Sequence, residues 1–254
     1  MIVLKSNGEL RRMRRAGLVV WRALELVREH VKPGVTTGHL NRLVEEMMAR
    51  EGAVPSFKGY HGYPASICTS VDEQVVHGIP GDRILHEGQI VSVDIGAIVD
   101  GYHGDAARTF PVGVISAEAQ RLLDVTWQAL QEGIQQARVG NHLSDISHAI
   151  QACAEAAGFS VVRDYVGHGI GRQMHEPPQI PNYGPPGMGP KLRAGMVLAI
   201  EPMVNAGTYE VRTLEDQWTV VTVDGALSAH FENTVAITPE GPAILTEPEP
   251  TGYE

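Results

Sequence analysis

The sequence predicts an α+β fold built from two tandem copies of one unit, helix–helix–antiparallel strands, related by a pseudo-twofold axis. Three observations carry this. A heptapeptide pattern occurs twice, 107 residues apart: Gly88-Gln-Ile-Val-Ser-Val-Asp94 lines up without gaps on Gly195-Met-Val-Leu-Ala-Ile-Glu201. Each copy is followed by a second acid, in His103-Gly-Asp105 and in His230-Phe-Glu232. Two amphipathic helical segments precede each copy, with apolar residues at helical spacing.

Taken in order, Ser6-Asn-Gly-Glu9 is a capping-box pattern that opens the first helix. Leu10, Met13, Gly17, Val20, Trp21, Leu24 and Val31 line its apolar face, and Pro33-Gly34 ends it. A second helix follows Thr36-Thr37 and closes at Gly52. Ser116 opens a third that ends near Gly140, and a shorter fourth runs from about Ser144 to Gly158. Asp100-Gly101 and Asp224-Gly225 each mark the turn of a β-hairpin. Asp94 and Asp105 stand an odd number of residues apart around the first turn, so both project from one sheet face. Shifts of 106 and 107 residues also place Gly34 on Gly140 and His61-Gly62 on His168-Gly169. With no linker between the halves, about 5–112 and 116–240, the chain reads as one domain over 1–254, and 241–254 as a loose surface tail.

Composition bounds the function. A net charge of −10 argues against DNA or an anionic membrane as partner. The basic run Arg11, Arg12, Arg14 and Arg15 reads as a solvated helix face. Two cysteines, Cys68 and Cys153, make no disulfide framework, so a reducing, cytoplasmic compartment is the default. No signal peptide or apolar run of membrane-spanning length is visible.

The chemistry lies in the acids. Apolar strands avoid carboxylates, because an unpaired buried one costs several kcal/mol or neutralises. Asp94, Asp105, Glu201 and Glu232 arrive there as two matched pairs, and two divalent cations would balance four negative charges. These oxygen donors suit Mn, Fe, Co or Zn, without the thiolates of a structural zinc site. His168 and His175 lie in a Gly/Pro-rich stretch read as a loop with little apolar packing, where His168 can complete a metal shell and His175 reach substrate. His77 sits on a turn-rich segment. His30, His39, His86, His142 and His148 are assigned to surface or packing. No P-loop, dinucleotide fingerprint, nucleophile elbow or reactive-cysteine signature is present.

Eight motifs, spread over most of the chain, carry a resemblance. They are Tyr60-His-Gly-Tyr-Pro, Val76-His-Gly-Ile-Pro, Val93-Asp-Ile-Gly, His103-Gly-Asp-Ala-Ala-Arg-Thr, Gly167-His-Gly-Ile-Gly, Met174-His-Glu-Pro-Pro, Ala199-Ile-Glu-Pro and Phe231-Glu-Asn-Thr. Together they resemble the type I methionine aminopeptidases, metallopeptidases of the pita-bread fold, whose curved central sheet the two repeats would share. The resemblance implies one metal on Asp94, Asp105 and Glu232 and another on Asp105, His168, Glu201 and Glu232. It implies His77 and His175 as substrate-contacting catalytic residues, and a methionine pocket drawing on Tyr60, Tyr63, Cys68, His77 and Trp218. Phe57 and Met174 fall where relatives often carry Cys and Phe, and bear on the shape of that pocket. The mechanism so implied has a metal-bound hydroxide, with Glu201 or the cluster accepting its proton. The partner would be the N-terminal methionine of nascent polypeptides with a small second residue, met by a monomer in transient contact with the ribosome. An X-Pro aminopeptidase or prolidase, or a non-catalytic module of this fold, are the alternatives.

Overall fold

The capping box at Ser6 forms as expected: the hydroxyl accepts from the Glu9 N–H, and the Glu9 carboxylate accepts from the Ser6 N–H at 2.8 Å. It starts α1 (Asn7–His30), and α2 (Thr37–Arg50) follows, capped by Thr36. In the computed structural model, which describes residues 1–248, five strands complete the first half. They are β1 (Val54–Pro55), β2 (Ile67–Val71), β3 (Gln74–Val76), β4 (Ile90–Val99) and β5 (Tyr102–Pro111). The second half repeats the plan with α3 (Ala117–Gln136) and α4 (Leu143–Ala156). Then come β6 (Ser160–Val161), β7 (Gly167–Gly169), β8 (Glu176–Ile180), β9 (Val197–Ile200) and β10 (Met203–Asn205). The last five are β11 (Val211–Thr213), β12 (Val220–Thr222), β13 (Ser228–His230), β14 (Asn233–Thr238) and β15 (Gly241–Ile244).

Each half buries its own apolar layer. Val20, Leu24 and Val27 of α1 and Leu40 and Val44 of α2 pack on Val91, Val93 and Ile95 of β4. Leu122, Leu130, Ile146 and Ile150 of α3 and α4 pack likewise on Leu198, Ile200 and Val235. The fit of α1 on β5 is close enough that a Cβ on Gly104 would stand 2.6 Å from the Gly17 nitrogen. Glycine is therefore required immediately before Asp105, and α1 fixes the height of that strand.

β4 and β5 form the expected hairpin over Asp100 and Gly101, both at positive φ. In the second half β9 pairs β14, with Asn233 opposite Ile200, so Glu201 and Glu232 face each other one step beyond the ladder. The halves meet along β5 and β14 through threonine hydroxyls. Thr234 Oγ1 accepts the Asp105 N–H at 3.0 Å and donates to the Asp105 carbonyl at 2.8 Å. Thr109 Oγ1 does the same for His230, at 2.9 Å each way. Between them, the Glu232 N–H donates to the Ala107 carbonyl at 2.9 Å.

This seam corrects the symmetry read from sequence. The axis relates Asp105 to His230, Ala107 to Glu232 and Thr109 to Thr234, a shift of 125 residues on the return strands. The motif match of Asp105 to Glu232 is therefore two residues out of register. A slip of two preserves the sheet face, so both acids still point the same way. His61 and His168 are not equivalent either. His168 pairs Ala199, whose mate is Ser92, and Ser92 pairs Ser70. His61 lies instead in a 3-10 turn over Tyr60–Gly62.

Four further expectations change. Asp224-Gly225 forms a turn, but its strands part: β12 pairs β11 and β3, while β13 pairs β10. The stretch around His168 and His175, read as loop, holds β7 and β8, because His168 hydrogen-bonds into the β9 edge. Arg14 is buried, and its guanidinium donates to the Leu245 carbonyl at 3.0 Å. The tail is not loose over its first part: β15 pairs β14, and Leu245 and Thr246 are fully buried. Leu245 fills the apolar space beside Leu10 and Met13, which holds the chain end on α1. Residues 249–254 lie outside those described.

Candidate metal centre and substrate cavity

The face shared by β4, β5, β7, β9 and β14 opens into a cavity of about 460 Å³. Every site residue singled out from the sequence lines it: Phe57, Tyr60, Tyr63, Cys68, His77, Asp94, Asp105, His168, Met174, His175, Glu201, Trp218 and Glu232.

At its floor, one ligand atom each from Asp105, His168 and Glu232 lie within 4.8 Å of one another. Asp94 stands beside Asp105 as the hairpin register requires, and Glu201 Oε1 is 3.4 Å from His168 Nε2. Burial is the leading cause of the charge state of all four acids. It pushes Asp94 up to about 7, and Asp105, Glu201 and Glu232 well above the usual carboxylate range, reinforced by one another's negative charge. Asp94 Oδ1, Asp105 Oδ1 and Glu232 Oε1 are buried with no hydrogen-bond partner. Such orphaned acceptors are rare in folded proteins and call for a cation. His168 Nδ1 sits 2.9 Å from the Gly169 carbonyl, to which it donates, leaving the Nε2 lone pair directed at the acids. Oxygen donors with one neutral imidazole fit a hard or borderline divalent ion. Cys68 faces Asp94 across β2 and β4, but burial pushes its thiol well up and keeps it out of that donor set.

Around the acids lies an imidazole and aromatic wall. His175 rests 4.2 Å from His168 between ring centres, and its Nδ1 shares a 2.7 Å hydrogen bond with the Tyr60 hydroxyl. Burial, followed by His175, pushes His77 down to about 4, so it is neutral near pH 7. Its ring packs edge-on against Tyr165 and Trp218. The Tyr63 hydroxyl does not enter the cavity chemistry: it donates to the Ile67 and Gly78 carbonyls and ties the wall to β2. Phe57, Tyr63, Cys68 and Met174 form a buried apolar cluster, with Tyr60 and Trp218 against it.

Sequence reasoning passed over other lining residues, among them His61, Val76, Tyr165, Val166, Met203 and His230. His230 had a signal, the match of His230-Phe-Glu232 to His103-Gly-Asp105; the apolar ones had none.

The model of metallopeptidase family M24 matches residues 11–239. The chain belongs to metallopeptidase family M24. It is similar to the methionine aminopeptidase of Clostridium acetobutylicum, 58% identical over 97% of this chain and 99% of that one. Methionine aminopeptidase 1 of Bacillus subtilis is 56% identical, again over 97% and 99%. Among solved structures, methionine aminopeptidase from Thermotoga maritima superposes with a TM-score of 0.96 at 49% identity, covering 97% of this chain and all of that one. The fold is thus the pita-bread fold of that family. Prolidase from Pyrococcus horikoshii shares only the fold, at 22% identity and a TM-score of 0.79, and the chain spans 65% of its length. No helix among the described residues is long and apolar enough to cross a membrane.

Proposed function

We propose that this protein is a methionine aminopeptidase, a metal-dependent hydrolase that removes the N-terminal methionine of polypeptides whose second residue is small. One observation carries the reading: buried carboxylates beside His168, three of them with an oxygen that lacks a partner, form the floor of an apolar, aromatic cavity, in a chain 58% identical to a methionine aminopeptidase over nearly its whole length.

Two divalent ions are proposed, one held by Asp94, Asp105 and Glu232, the other by Asp105, His168, Glu201 and Glu232. When bound, such ions polarise a peptide carbonyl and acidify water near neutral pH. The remaining work falls to the protein's own groups. Glu201, whose proton affinity burial has raised, accepts a proton from the attacking water. With the Tyr60 hydroxyl donating to Nδ1, His175 carries its proton on Nε2 and can donate to the developing oxyanion. His77, neutral and held by Tyr165 and Trp218, supports the same carbonyl. The cluster of Phe57, Tyr60, Tyr63, Cys68, Met174 and Trp218 takes the unbranched methionine side chain and excludes water from it. Both cysteines are free, which accords with a cytoplasmic setting on nascent chains at the ribosome. We take the working form to be a monomer.

The test is substrate choice. Metal-loaded protein is offered Met-Ala-Ser and Ala-Pro-Ala, and free amino acids are quantified. Methionine from the first peptide and nothing from the second is the expected result. Alanine release from the second with no methionine from the first would assign the cavity to X-Pro cleavage instead.

A further inference from the structure

His230 lines the cavity wall, yet neither the ligand set nor the substrate contacts give it work. It is 2% exposed, and its Nε2 is buried without a hydrogen-bond partner. That nitrogen stands 3.9 Å from Glu201 Oε2, while Glu201 Oε1 stands 3.4 Å from His168 Nε2. Glu201 is therefore bracketed by two imidazoles, one at each carboxylate oxygen.

The position is built rather than incidental. The Thr109 hydroxyl accepts the His230 N–H and donates to its carbonyl, and β13 pairs His230 with Met203. The backbone that carries the ring is thus fixed from two sides. By the axis through the β5–β14 seam, His230 is also the mate of Asp105, so the fold aims this position at the shared floor in both halves. An unsatisfied buried polar atom costs ~1–3 kcal/mol, and this one lies beside a carboxylate oxygen able to accept from it.

We propose that His230 is a positioning residue for Glu201: its Nε2–H donates to Oε2, the oxygen turned away from His168, and fixes the carboxylate plane so that Oε1 faces the metal centre. The two atoms stand 3.9 Å apart, so a modest side-chain rotation brings them within hydrogen-bond distance. An imidazole carries an N–H on at least one ring nitrogen, so the ring can supply the donor. The inference rests on the metal reading of the site given above.

The test uses metal-free full-length protein: wild type, His230→Gln, His230→Leu and His230→Met, with Asp105→Ala as control. Each is checked by thermal unfolding and titrated calorimetrically with Co(II), and the visible absorption of the Co(II) form is recorded. Loss of an oriented carboxylate partner weakens metal binding by ~10–100-fold. That loss is expected in the Leu and Met variants, with Met deciding should Leu not fold. Glutamine, which keeps a donor, should recover most of the affinity and an absorption spectrum close to wild type. The apolar variants should unfold no earlier than wild type when metal-free, because they remove an unpaired nitrogen. Wild-type Co(II) affinity in both apolar variants would overturn the proposal. So would a spectrum in His230→Gln as altered as in His230→Leu, since that marks a direct ligand. Unchanged binding in Asp105→Ala would sink the metal reading itself, a separate failure.

Discussion

Replacing Asp94 by Asn should stabilise the metal-free protein at pH 8 while removing a proposed metal ligand. Burial raises the Asp94 carboxyl from 3.8 to about 7 in the folded chain. A group raised on folding contributes its full stability below 3.8 and loses it as pH climbs through about 7, because the folded state then holds an ionised carboxylate with an unpaired Oδ1. At ~1.36 kcal/mol per pH unit, that loss amounts to about 4 kcal/mol by pH 8 and about 2 kcal/mol at pH 5.5. The amide carries no charge and escapes both. Urea unfolding of metal-free wild type and Asp94→Asn at the two pH values should therefore show an advantage to the variant that is about 2 kcal/mol larger at pH 8. The buried histidines leave the comparison intact, since they are common to both proteins. A difference that does not change with pH, or a variant less stable than wild type at pH 8, would refute the reasoning.

Other predictions follow the same physics. Metal binding at pH 7 should release protons, because Asp105, Glu201 and Glu232 are raised well above the carboxylate range in the metal-free site; titration in buffers of different ionisation heat measures this. Tyr60→Phe should lower kcat by roughly 2- to 10-fold with little change in KM, the worth of one hydrogen bond of ~0.5–1.5 kcal/mol to His175; steady-state kinetics on Met-Ala-Ser checks it. Leu245→Ala should cost ~2–5 kcal/mol in urea unfolding, since that side chain is fully buried, whereas a loose tail would give no effect.

Much of this was legible in the chain. The capping box at Ser6, the Asp100-Gly101 turn and the odd spacing of Asp94 and Asp105 are local rules, and local geometry obeyed them. The acids could be found because carboxylates in apolar strands violate the usual cost of burial. What failed was register between halves. The pairing of Asp105 with Thr234 and of His230 with Thr109 depends on two sheets meeting, and no local pattern encodes a slip of two residues that leaves the facing unchanged. The tail misled for a related reason: Glu247-Pro-Glu-Pro looks solvated, but Leu245 and Thr246 just before it are buried by α1 and β14, a contact from the far end of the sequence. Arg14 was misread with it, because its carbonyl partners are in that same segment. The cavity wall was recognisable only where a residue carried chemistry; Val76, Val166 and Met203 gave no sign of themselves.

The central claim is that cations held by the paired acids make this cavity a peptidase. Methionine release from Met-Ala-Ser, measured while metal-free protein is titrated with Co(II), tests it most directly. The account predicts negligible release without metal, a rise that saturates as the site fills, and no rise at any level in Asp105→Ala. Release that is equal with and without metal, or preserved in Asp105→Ala, would contradict it.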